Sequence, residues 1–170
     1  MIFVTHDREE VLAVGERACV LNSGTVEQVG TPAELYRAPV SEFVAYFLGD
    51  TNFLEGVLRK KEESWVMDCP NNVTVSIAKP VSAVEGEHAK ILVRPELLKL
   101  SSSSGVEATI TQKDFLGSHT RYSVQLTSGE IMNVLVQNSS YEQKSWSMGE
   151  STHVTFNPND AVFLPKAEVE

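Results

Sequence analysis

Six side chains in this sequence are the readiest to hold a metal or a reacting group: four histidines (His6, His88, His119 and His153) and two cysteines (Cys19 and Cys69). His88, His119 and His153 are scattered, with no acidic or cysteine partner close by, so they form no metal-ligand spacing. Cys19 and Cys69 make none either; a disulfide between them is the alternative to the favoured reading, in which both thiols are reduced, as in cytosol. His6 is different. It closes the apolar run Ile2-Phe3-Val4-Thr5 and is followed at once by Asp7. On residue type alone, His6 is a strand-end imidazole satisfied by local backbone, and Asp7 is a helix cap. Arg94-Pro95-Glu96 reads by the same standard as a strand-end ion pair. Asp114-Phe115-Leu116-Gly117-Ser118-His119-Thr120 reads as a connector between long strands, with small-anion binding as its alternative. Trp65 and Trp146 fit the core or rim of a β structure better than a stacking platform for bases.

Charge narrows the classes of partner. Fourteen basic residues stand against 23 acidic ones, a formal net charge of -9. Phosphate-backbone binding needs clustered Lys and Arg, so a nucleic-acid surface is disfavoured. No basic segment leads into an apolar run at the start, which speaks against a signal peptide. Nor does any apolar stretch approach the roughly 20 residues that span a bilayer. A role at a membrane would therefore be exercised through partners.

The elements that must position these residues fall into two groups. Ile2–Thr5 is an apolar, β-branched run of the kind buried in a parallel sheet, and it would need neighbouring strands from elsewhere. Asp7 then caps a short helix, with Glu10 placed to complete a capping box and Val11, Leu12 and Val14 as its apolar side. Cys19-Val20-Leu21 reads as another buried strand, Asn22-Ser23-Gly24 as a turn, and Thr25–Val29 as the returning hairpin arm. Thr31, Pro32 and Glu34 spell a helix start. A further helix is expected from about Pro39 to Leu48, with Gly49 at a left-handed exit. Residues 1–50 thus alternate strand and helix, as at the edge of an α/β domain. Beyond Asp50 the pattern changes to short β runs: 53–59, 64–68, 73–77, 88–93, 106–114, 120–126, 130–136, 152–156 and 161–164. Many short strands at even spacing indicate a small barrel or sandwich, with Ser101–Gly105 as a loop. The expected division is therefore 1–50 and 51–170.

Phe3-Val4-Thr5-His6-Asp7-Arg8-Glu9-Glu10 resembles the switch-histidine loop of ABC-transporter ATP-binding subunits, especially those of polyamine, iron, sugar and molybdate importers. The likeness continues through Glu16-Arg17, Val20–Gly24, Glu27–Pro32, Tyr36–Pro39, Phe43–Gly49 and Asn52–Gly56. Downstream, Val93-Arg94-Pro95-Glu96 and the stretch holding Gly117, Tyr122 and Gly129 resemble the family's accessory domain, an OB-like barrel called TOBE. The two likenesses cover nearly the whole chain.

This resemblance implies a mainly β fold. It makes 1–50 the end of an ABC nucleotide-binding domain and 51–170 a TOBE barrel. It also implies that His6 is the switch histidine, which in the family ends a core strand and hydrogen-bonds the γ-phosphate of ATP. A neutral imidazole suits that place, since it offers one donor and one acceptor. Asp7, Arg94 and Glu96 become interface or regulatory candidates. The implied partners are a second copy of the chain and transmembrane permease subunits; the implied location is cytoplasmic, peripheral to the inner face of the membrane. ATP and Mg²⁺ belong to the intact subunit only. Hydrolysis requires a Gly-rich cradle with Lys and Ser/Thr plus an acidic Mg²⁺ ligand, and these 170 residues contain no G-x-x-x-x-G-K-[ST]. The family's glutamine loop, LSGGQ-like signature and acidic strand-end pair are also missing. The chain by itself is expected not to turn over ATP. Met1 stands where the family has a residue interior to a strand, which fits an internal start or a cut gene. The alternative is a stand-alone β module that binds a small oxyanion or dimerises.

Overall fold

The computed structural model describes residues 2–78, 84–138 and 144–164. Met1 lies outside them. The chain divides into two compact units, one of them Asn52–Phe163 and the other the residues up to Thr51 together with Leu164.

In the first unit, three short helices accompany one hairpin. Helix α1 (Arg8–Val14) starts at Asp7, whose carboxylate accepts the backbone N–H groups of Glu9 and Glu10. Strands β1 (Ala18–Asn22) and β2 (Thr25–Gly30) pair antiparallel through a two-residue turn. Ser23 and Gly24 in that turn both have positive φ, as a primed hairpin turn demands. Helix α2 (Pro32–Arg37) carries the full reciprocal box between Thr31 and Glu34, with proline in its first turn. Helix α3 (Glu42–Leu48) is capped by the Ser41 hydroxyl. Val20, Leu35, Val44 and Leu48 form this unit's small core. Burying a side chain of that size contributes about 1.5–3 kcal/mol, so four of them make a modest centre.

Several expectations for this region are corrected. Ile2–Thr5 is not a strand: Ile2, Phe3 and Val4 are exposed, and no strand pairs with them among the described residues. A central strand is held by ladder bonds and by cover on both faces, and neither is present. The hairpin is half-buried rather than buried: Val20 faces the core, whereas Cys19, Leu21, Val26 and Val29 share an exposed face. Leu12 and Val14 are likewise exposed. Helix α3 starts later than Pro39 because the Gln28 amide holds the preceding backbone extended: its nitrogen donates to Ala38 O (3.0 Å) and its oxygen accepts from Val40 N (3.0 Å). Gly49 leaves α3 in extended conformation (φ 169°), not left-handed.

In the second unit, alternation of period two sets the architecture. Strands β3 (Asn52–Lys61), β4 (Ser64–Cys69), β5 (Val73–Ile77) and β6 (His88–Val93) precede β7 (Lys99–Ser101) and β8 (Val106–Phe115). Then follow β9 (His119–Leu126), β10 (Ile131–Gln137), β11 (Ser151–Thr155) and β12 (Val162–Leu164). They form two five-stranded sheets, ordered β12-β6-β3-β4-β5 and β10-β9-β8-β11-β7. One core lies between them. Leu54, Leu58, Met67, Ile91 and Val93 enter it from the first sheet; Ile110, Val124, Val134 and Val154 enter from the second. The chain is mainly β, as the strand spacing indicated, with the OB-like barrel that the resemblance implied. Strand β7 escaped the sequence reading, being three residues long and half-covered. It follows a 3-10 turn at Pro95–Leu97 and exists because β11 lies beside it.

Two glycines mark close approaches. A Cβ on Gly56 would stand 2.4 Å from the Asp68 carbonyl oxygen across the β3–β4 pair. Gly105 combines φ of +118° with a virtual Cβ 2.3 Å from the Val154 carbonyl oxygen. Asn52 ties the sheets together. Its side chain, 4% exposed, donates to Val93 O (3.3 Å) and Asn133 O (2.9 Å) and accepts from Asn133 N (2.7 Å).

Candidate functional site: the His6 loop and the barrel surface

His6 lies on an exposed bend directly before α1. Both its neighbours are committed to backbone. Thr5 Oγ1 accepts from Asp7 N (3.0 Å) and donates to the Glu10 carboxylate. Asp7 Oδ1 accepts from Glu9 N (2.8 Å) and Glu10 N (3.4 Å). The expected capping box at Asp7 is therefore only half made, because Glu10 takes the Thr5 hydroxyl and Asp7 N–H goes to Thr5. Arg8 Nη1 meets Asp50 Oδ1 at 3.3 Å, an exposed pair that joins the start of α1 to the stretch after α3. Such an exposed pair contributes little stability by itself. Thr5, Glu10, Arg8 and Asp50 thus make the contacts around the two candidates His6 and Asp7. Thr5 two residues before Asp7 is a readable signal, since a threonine hydroxyl accepts the N–H two residues on.

Arg94 is 3% exposed and sits where β6 gives way to the 3-10 turn at Pro95–Leu97; its carbonyl accepts from Leu97 N at 3.0 Å. Glu96, in that turn, is exposed. The structure thus places these two candidates in unlike surroundings.

In the Asp114–Thr120 segment, polar groups are bound up within the turn. Leu116 N donates to His119 O (2.8 Å), and Asn138 N donates to Ser118 O (2.8 Å). The Asn138 side chain donates to Gly117 O (2.8 Å) and accepts from Thr120 Oγ1 (2.9 Å). Hydrogen bonds from Gln112, then the adjoining Arg121 guanidinium, hold the Asp114 carboxyl below its ordinary range. Phe115 and Leu116 stand exposed at the tip.

His88, His119 and His153 occupy different strands, and among the described residues no group of three His, Cys, Asp or Glu could hold a metal ion. Both cysteines are free; Cys19 is exposed and Cys69 buried. Burial, reinforced by the charges of Glu130 and Asp68, pushes the Cys69 thiol up to about 12. That makes it a small apolar filler, not a nucleophile. Trp146 is in the core with Lys144 Nζ 3.4 Å from its ring centroid, and Trp65 packs against the same core from β4. Among the described residues no helix is long and apolar enough to cross a membrane.

Comparison with known proteins bears on both units. Residues 91–164 match the TOBE domain. Over 98% of its length the chain is 29% identical to the spermidine/putrescine import ATP-binding protein of Thermotoga maritima, covering 48% of that protein. It is 32% identical to the Pseudomonas fluorescens protein of the same name, over 96% of this chain and 46% of the relative. With the Pseudomonas aeruginosa counterpart, identity is 35% over 81% of this chain and 38% of the relative. The chain therefore spans less than half the length of these relatives. Among solved structures, the cytoplasmic molybdate-binding protein ModG is similar in fold. Its TM-score is 0.57 at 10% identity, over 67% of this chain and 96% of that one.

Proposed function

We propose that this chain, which carries a TOBE domain and aligns almost throughout with ATP-binding subunits of polyamine importers, is the switch-histidine and barrel portion of such a subunit. The observation that carries the reading is the near-complete alignment of the chain against less than half of each relative. His6 lies within that span. In this reading residues 1–50 are the end of an ABC nucleotide-binding domain and 51–170 the accessory barrel. His6 is the catalytic contribution, and Asp7, Arg94 and Glu96 serve interfaces or regulation. The barrel helps hold a homodimer that drives permease subunits from the cytoplasmic face of the membrane, with spermidine- or iron-like cargo.

Surface chemistry supports this. The run Ile2–Val4 and the hairpin face of Cys19, Leu21, Val26 and Val29 are apolar yet exposed, and contiguous apolar surface of that sort marks a contact still to be made. The residues present do not by themselves fit Mg-ATP. They include no G-x-x-x-x-G-K-[ST], and His6 alone supplies no cradle for a triphosphate. The 170 residues are thus the regulatory and dimerising part, inactive unless the phosphate-binding portion is supplied.

The test is calorimetry and turnover on the purified chain. It should neither hydrolyse Mg-ATP nor bind it with saturation. Hydrolysis by these 170 residues would refute the reading. Saturable binding of molybdate, sulfate or phosphate would instead favour a stand-alone oxyanion-binding module, to which the fold likeness to a molybdate-binding protein lends some weight.

A further inference from the structure

The two residues that flank His6 are anchored while His6 itself faces solvent. A neutral imidazole contributes to chemistry only when its ring is presented in one direction, and the backbone beneath it decides that direction. Here the backbone is held from both sides. The Asp7 carboxylate is spent on α1, accepting Glu9 N and Glu10 N. The Asp7 N–H points back to Thr5 Oγ1 at 3.0 Å, closing a turn whose central residue is His6. A hydroxyl has one proton and two lone pairs, and the Thr5 hydroxyl uses both functions at once, because its proton goes to the Glu10 carboxylate. Glu10 lies in the first turn of α1, one helical turn from Asp7. Thr5 is therefore clasped to the helix, and the bend cannot open without breaking both bonds.

We infer that Thr5 is the positioning residue for His6, acting through this clasp with Glu10 and the Asp7 amide. The inference rests on the proposed role of His6, which it deepens. It accounts for the half-made capping box: Glu10 is withdrawn from the Asp7 N–H, the partner it would have in a reciprocal box, so that Thr5 can hold both. Valine at position 5 keeps the β-branched shape and removes the donor and the acceptor together. Serine keeps both.

Amide hydrogen exchange on the 170-residue chain tests the clasp. In Thr5→Val, protection of the Asp7 amide should fall roughly tenfold, the loss of one ordinary hydrogen bond, with the later α1 amides of Leu12 and Ala13 unchanged. Thr5→Ser should restore it. Unchanged Asp7 protection in Thr5→Val, or equal loss along the whole helix, overturns the inference. Turnover then tests the positioning, with the phosphate-binding portion of a relative supplied on the same polypeptide. Thr5→Val should lower kcat roughly tenfold with KM for Mg-ATP within twofold, and Thr5→Ser should not. Equal kcat in Thr5→Val and the parent would overturn the positioning role. If the parent itself shows no turnover there, the proposed function fails, and the exchange result still decides the clasp.

Discussion

Replacing Asn52 by alanine should weaken the barrel by several times the loss expected for a peripheral hydrogen bond. Three hydrogen bonds pass through this one side chain, and they join β3 to β6 and to β10 across the core. Truncation leaves the Asn133 N–H, the shortest of the three at 2.7 Å, without its acceptor, and deprives two carbonyls of a donor. A stranded buried donor costs about 1–3 kcal/mol and each remaining bond about 1 kcal/mol. Because Asn133 is itself half-covered, the total should fall at about 2–4 kcal/mol. With a urea slope of about 2 kcal/mol per molar for a domain of this size, the midpoint should drop by about 1–2 M. Trp65 and Trp146 both lie in the barrel, so tryptophan fluorescence during urea unfolding follows that unit. Ser123→Ala provides the control, since it removes only a peripheral bond to Asn133 Oδ1 (2.9 Å) and should cost under about 1 kcal/mol. If Asn52→Ala shifts the midpoint no more than Ser123→Ala does, the bridging role assigned to Asn52 is wrong.

Other outcomes follow from the same geometry. A thiol reagent should modify one cysteine in the native chain, Cys19, and two in denaturant, because Cys69 is buried with its thiol pushed up to about 12; modification of both under native conditions would contradict this. The raised value makes the neutral thiol the folded form, so stability is complete below the unfolded value near 9 and declines as pH rises past it. Cys69→Ala should flatten that alkaline limb in denaturation midpoints measured from pH 8 to 11. Glu34 behaves oppositely: bonds from the Thr31 backbone and side chain hold its carboxyl below 4.5, so its contribution is lost as pH falls through the lowered folded value. Glu34→Gln should remove part of the acid sensitivity of α2, read as amide exchange at Leu35 between pH 5 and 3. Gly56→Ala drives a methyl against the Asp68 carbonyl oxygen at 2.4 Å. It should lower the urea midpoint by an amount equivalent to about 1–3 kcal/mol.

Local chemistry made much of this molecule legible in advance. Short β runs separated by Gly, Pro, Asn and Ser located nine of the barrel strands to within a few residues, and the alternating burial of those strands against one core keeps each in register. The Thr31-Pro32-Glu34 start was equally readable, for a reciprocal cap needs only residues three apart. The His6 loop and the Arg94 turn were singled out by their likeness to a family, which fixes position along a chain rather than contacts in space. What the sequence could not supply depended on distant partners. Ile2–Thr5 has the composition of a buried strand but no neighbour among the described residues, and ladder bonds cannot be made alone. Glu10 could have closed the box at Asp7; it bonds Thr5 instead, a competition between two donors, the Thr5 hydroxyl and the Asp7 N–H, for one carboxylate that only the folded bend resolves. Arg8 found Asp50, and Asn52 found Asn133, across 42 and 81 residues of sequence. Composition and spacing determine which segments can form a strand, a helix or a cap. The sheet order, and with it which buried polar groups meet, is decided by tertiary packing, because a side chain's partner is whatever the closed core brings within hydrogen-bonding distance.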